Sequence, residues 1–185
     1  MSRSRPASPD RSVRPALAED APAIARIQVA GIREAVGAAL GHEAPAIDGH
    51  SVEDTWRATL DRPQPAGHHT LVALHGHGVA GFAACAPGEV LPPTGGRPDP
   101  IPEGTDILSL EVDADFRRSG HGSRLLAAVV DITRPRTVRV WILAGDDVRV
   151  RFYQGAGFSP AGVRRTLATG DGAVIEHLWW SLVEE

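Results

Sequence analysis

The stretch from Leu108 to Leu126, LSLEVDADFRRSGHGSRLL, decides how the rest of the chain is read. It opens inside an apolar run, Ile107 to Val112, and passes through a short acidic turn into Arg117-Arg118-Ser119-Gly120-His121-Gly122. A helical pattern follows, with Leu125, Leu126, Val129 and Ile132 on its inner face. The order is strand, glycine-rich turn, helix. Glycines at alternate positions leave out the Cβ atoms that would keep a ligand off the backbone, and successive N–H groups at a helix start form a positively polarised cradle suited to phosphate. Because a Gly-x-Gly pair also serves turns that need glycine only for geometry, the flanking residues carry the reading.

Downstream, Arg134-Pro135 ends the helix, since proline cannot continue it. Thr137 to Leu143 is a β-rich run with Val138, Val140 and Ile142 on one face and Trp141 and Leu143 on the other. Apolar on both faces, it is a central strand. Asp146-Asp147 can cap a further helix that closes with Phe152-Tyr153-Gln154-Gly155-Ala156-Gly157-Phe158. Val163 to Ala168, a Gly170-Asp171-Gly172 turn and Val174 to Leu182 form a final hairpin carrying His177, Trp179 and Trp180. One tryptophan of the adjacent pair must point away from the other.

Arg117, Gly120 and Gly122 resemble motif A of the GNAT superfamily of acetyl-CoA-dependent N-acyltransferases, which runs Arg or Gln, two residues, Gly, one residue, then Gly or Ala. Val112-Asp113 is similar to the family's strand ending, and Leu125-Leu126 to its helix. The segment ending in Phe158 resembles motif B, with Asp146 where an Asn is usual. The resemblance covers about residues 12 to 182 and implies an α/β (α+β) fold, a mixed central sheet of about six or seven strands with helices on both faces. Its parallel pair is expected from 106–113 and 137–143, joined by the crossover helix. The resemblance also implies that the CoA pyrophosphate sits on the amides of Arg117, Arg118, Ser119, Gly120, His121, Gly122 and Ser123. The pantetheine arm would pair with the backbone of Leu110, Glu111 and Val112, with Asp146 and Tyr153 beside it.

Upstream, residues 1–11 read as a disordered tail rich in Ser, Pro and Arg, and 12–185 as a single domain. Ser12 to Ala16 suits a short strand; Asp20 can cap a helix with Pro22 in its first turn and Ala21, Ile24, Ile27 and Gly31 inside. Gly37 to Gly49, carrying His42, Glu43 and Asp48, reads as a long loop, and Ser51-Val52-Glu53-Asp54 as a capping box for a second helix. Thr70 to Leu74 and Val79 to Cys85 are strands joined through His75-Gly76-His77-Gly78, where turn geometry explains the histidines better than metal does. Pro87 to Gly104, with prolines at 87, 92, 93, 98, 100 and 102, reads as a loop.

Composition bounds the partners. A chain of 185 residues with net charge -4 and a pI near 6.0 is not expected to bind a nucleic-acid backbone. The single Cys85 excludes an internal disulfide and agrees with a reducing cytosol; no membrane span or signal core is evident, so a cytoplasmic protein is expected.

Acetyl transfer needs a neutral amine, a polarised thioester carbonyl and an acid for the departing thiolate. Tyr153 matches the family's tyrosine for the acid role. Glu111 and Asp106 are the candidate bases; five apart, they face opposite sides of an unbroken strand, so only one faces the amine unless a bulge intervenes. Glu111 is favoured, because the resemblance places it nearer the thioester. The expected function is acetyl transfer from acetyl-CoA to a primary amine of a small molecule or peptide by direct attack, with no metal and a homodimer as a possible assembly. A catalytically silent acyl-CoA sensor is the alternative.

Overall fold

The computed structural model describes residues 11–93, 99–169 and 172–183. The expected tail falls outside these residues except for Arg11, as does the turn at Gly170-Asp171. The strands are β1 (Val13–Pro15), β2 (His69–His75), β3 (Gly78–Gly88), β4 (Gly104–Val112), β5 (Thr137–Leu143), β6 (Ser159–Thr169) and β7 (Gly172–Leu182). They form a 7-stranded sheet in the order β1-β2-β3-β4-β5-β7-β6. Every neighbouring pair is antiparallel except β4 and β5, which are parallel, as a strand-helix-strand crossover requires.

The helices are α1 (Ala21–Leu40), α2 (Gly49–Leu60), α3 (His121–Thr133) and α4 (Asp147–Gly155). α1 and α2 cover one face, where Ile24 and Ile27 pack on Val72 and Phe82 with Trp56 beside them. α3 covers the other face, with Leu125 and Val129 against Leu71, Ala73, Ala83 and Cys85. α4 joins it there: Tyr153 and Leu126 pack with Ile107, Val138, Val140, Ile142 and Trp179. Trp180 lies in a separate cluster with Ile101, Trp141 and Leu178, so the two adjacent tryptophans do face opposite ways.

Several expected boundaries move, each for a local reason. α1 runs three residues past Gly37 and stops at Leu40, because Gly41, at φ 72°, supplies the left-handed C-cap. The capping box expected at Ser51 is not the start of α2; the Asp48 carboxylate accepts from the His50 N–H at 3.0 Å and begins the helix earlier. β3 continues through Pro87 to Gly88, and β4 starts at Gly104, so the proline-rich loop is shorter than read. Within that loop Leu91 and Ile101 pair as an isolated bridge.

Candidate active site

The geometry of the site begins with one extra residue in β4. Against β3, Ala84 lies opposite Ser109 and Cys85 opposite Ile107, so Leu108 has no partner and bulges out, 64% exposed. A bulge shifts the side-chain alternation by one. Asp106 and Glu111, expected on opposite faces, therefore share the α1 face: Glu111 lies opposite Phe82, whose ring packs under α1, and Asp106 opposite Ala86. Leu110 and Val112 turn to the α3 face.

Pairing between β4 and β5 spans only Thr105–Val138, Asp106–Arg139 and Ile107–Val140. Beyond the bulge the two strands part. β4 remains bonded to β3 as far as Val112, but its other edge, from Leu108 to Val112, has no strand partner among the described residues. Unpaired backbone N–H and C=O groups on that edge are available to an extended ligand, in the manner of strand addition.

The open edge leads to the start of α3. Gly120, at φ 81°, forms its N-cap without a side-chain hydrogen bond, and no acidic residue stands in the first turn. The N–H groups of His121, Gly122 and Ser123 thus keep their positive polarisation for an anion. Gly122 also serves the packing of the helices. A Cβ there would meet Cε2 of Phe152 at 3.1 Å, so the glycine lets α4 close on α3. Arg117 is bound by Glu34 of α1 rather than left free, with Nη1 donating to Oε1 at 3.0 Å. Arg118 is exposed at φ 60°, and the Ser119 carbonyl accepts from Arg124 at 3.2 Å and Arg11 at 3.3 Å. Beside this turn, a groove of about 610 Å³ runs between α3 and α4, lined by Ser123, Leu126, Val130, Phe152 and Ala156.

Glu111 sits where the strands part. Its carboxylate occupies a slot made by Gly31 of α1, where a Cβ would lie 2.7 Å from Cδ. Arg149 of α4 donates to one carboxylate oxygen. Burial pushes the Glu111 carboxyl above the usual carboxylate range, opposed by Arg149 and assisted by Asp146. A carboxylate whose pKa is raised takes up a proton more readily than an exposed one, as a general base requires. Asp146 caps α4, accepting from the Arg149 N–H at 3.0 Å, and its other oxygen holds the Arg149 side chain. Both of its oxygens are therefore engaged within the protein, whereas the sequence assigned it to the cofactor arm.

Tyr153 lies at the floor, 2% exposed, ringed by Phe152 and Phe158 with centroids at 5.0 Å. Burial raises its phenol pKa, and Glu111 adds to the effect. The hydroxyl stays protonated and is a standing donor. Asp106 has a different setting: Arg139, 1% exposed, donates from Nε at 2.5 Å, and Arg139 also reaches the Glu89 carbonyl at 2.6 Å. This pair fastens the proline-rich loop to the sheet.

The profile of the acetyltransferase (GNAT) family matches residues 34–158, from the last part of α1 through α4. The chain belongs to this family. Solved structures agree in fold. A ribosomal-protein-alanine N-acetyltransferase from Brucella melitensis superimposes with TM-score 0.65 at 20% identity, covering 93% of this chain and 99% of its own. Ard1 from Thermoplasma volcanium gives TM-score 0.65 at 20% identity, with 95% and 99% covered. YncA from Salmonella typhimurium, solved with its cofactor acetyl-CoA, gives 0.63 at 18%, with 95% of each chain covered. No curated protein sequence matches the chain.

The sequence reading named the turn, Glu111, Asp106 and Tyr153 as candidates and did not single out Arg149, Arg139 or Gly31, which the structure brings against the two carboxylates. Each left a signal. Arg139 is an arginine inside an apolar central strand and must therefore find a buried partner. Arg149 lies three residues after a capping aspartate, within reach on one helix face. Gly31 lies on the inner face of a helix interior, where glycine costs about 1 kcal/mol against alanine and so marks a close approach.

Proposed function

We propose that the protein moves an acetyl group from acetyl-CoA to a primary amine of a small molecule or peptide by direct attack. Acetyl-CoA supplies the acetyl group as a thioester, and the remaining work belongs to this chain. The carrying observation is that a β4 edge with no strand partner among the described residues, an α3 start with no side-chain cap, a buried carboxylate and a buried phenol lie close together. In this reading the N–H groups of His121, Gly122 and Ser123 receive the pyrophosphate, and the edge from Leu110 to Val112 holds the pantetheine arm. Glu111 takes a proton from the acceptor's ammonium, directly or through one water, and the neutral amine so formed attacks the thioester carbonyl. Tyr153 donates to the departing sulfur. Asp106, tied to the buried Arg139, serves the loop rather than the chemistry.

The test is release of free CoA thiol from acetyl-CoA across a panel of amines that includes polyamines, amino acids and a peptide with a free amino terminus. A peptide belongs in the panel because one structural neighbour is named for acetylating an alanine of a ribosomal protein. Amine-dependent thiol release supports the transferase. Tight binding of CoA by calorimetry, with no release for any amine, would indicate the sensor instead.

A further inference from the structure

Arg149 stands in an unusual position for a helix residue near a cleft. It lies on α4, whose Tyr153 packs on the α3 face of the sheet, yet it bonds Glu111, whose carboxylate lies against α1 on the opposite face. The contact therefore crosses the opening where β4 and β5 part. Its other nitrogen is held by Asp146, the cap of its own helix, so the guanidinium is fixed at both ends. A planar fork with separate donors can hold two carboxylates at once in a way that a lysine cannot.

We infer that Arg149 is a positioning residue, which holds the Glu111 carboxylate in place for the acceptor at the opening between β4 and β5. The inference rests on the reading of Glu111 as the base, but its physical core is separable from it. The charged groups facing Glu111 are Arg149 and Asp146 from α4 and Arg117 from the turn; the α1 surface against it is Gly31, which carries no charge. Burial and Asp146 favour the protonated acid, while Arg149 is the nearest group favouring the carboxylate. Without Arg149 the balance at Glu111 shifts towards the protonated acid, which can accept no proton from the amine.

The experiment follows the carboxyl of Glu111 by ¹³C NMR in the full chain labelled at glutamate, with Glu111→Gln identifying the resonance. The expected result is a titration midpoint higher by about one pH unit or more in Arg149→Gln than in the parent, the usual size of the effect of an adjacent opposite charge. Arg149→Met, which replaces the charge by apolar volume, carries the same expectation if the glutamine variant does not fold. An unchanged midpoint in a folded variant overturns the inference. In parallel, acetyl transfer to the best amine of the panel is measured against pH. The acidic limb of the rate should move upward with the midpoint, whereas a merely structural role would lower the rate at every pH and leave the limb in place. If Glu111→Gln retains both rate and limb while Arg149→Gln still moves the midpoint, the hold on Glu111 stands and the base reading fails.

Discussion

At the scale of single residues, Tyr153 and Gly31 give the sharpest expectations. Tyr153→Phe keeps the ring that packs between Phe152 and Phe158 and removes only the hydroxyl. CoA affinity should change little, and turnover should fall by about 10²-fold, the lower end of what an acid contributes, because a thiolate is already a fair leaving group. Steady-state rates beside calorimetric affinity check this; equal turnover would leave the phenol a packing group. Gly31→Ala tests the slot. Replacing a helix-interior glycine by alanine ordinarily stabilises by about 0.5–1 kcal/mol. Here the added methyl meets the Glu111 carboxylate, which is fixed by Arg149. The expected outcome is a loss of stability in thermal unfolding together with a loss of transfer rate. A more stable variant with full rate would mean that the carboxylate moves freely.

Among the elements, the loop between β3 and β4 is the one held from beneath. Arg139 is fully buried, and the Asp106 carboxylate is the charged group that holds its guanidinium. Removing one member of a fully buried pair costs about 3–5 kcal/mol, and Asp106→Ala should fall below that because the Asp106 side chain is 29% exposed and Arg139 keeps two carbonyl partners. Denaturant unfolding measures the cost, while transfer per folded molecule should persist; a stable variant without activity would return Asp106 to the catalytic group. The same elements show what a sequence discloses. The parallel pair, the crossover helix and the hairpins were legible because apolar periodicity and glycine or proline punctuation are local properties. The common face of Asp106 and Glu111 was not, because Leu108 bulges only in the company of β3, and nothing in its own neighbours marks the extra residue. The start of α2 was misplaced because Asp48 and Ser51 are both competent caps, and it is the Asp48 carboxylate that accepts from the His50 N–H.

For the whole molecule, acid should weaken the fold through His121. This imidazole is 1% exposed at the first position of α3; its Nε2 lies 3.2 Å from Nδ1 of His75, and its own Nδ1 has no hydrogen-bond partner. Burial, with His75, Arg124 and Arg11 nearby, lowers its pKa. The unfolded chain therefore takes up the proton first. Stability present above about pH 6.5 is lost progressively as the pH falls from there through the lower folded value. Melting temperatures across this range should decline in the parent and decline less in His121→Gln; identical slopes would place the sensitivity elsewhere. The buried Arg139 carries a consequence for how such chains diverge. A Cβ on Gly88 would run into its guanidinium, and a Cβ on Gly104 into Thr137 two residues before it. A side chain at position 88 thus needs a different residue at 139, whereas a side chain at 104 would strike the Thr137 carbonyl, which no substitution at 137 removes, so position 104 is held to glycine. Among descendants of this sequence, a side chain at 88 should be found together with a smaller residue at 139, and the loop that Arg139 fastens should there differ in length or path.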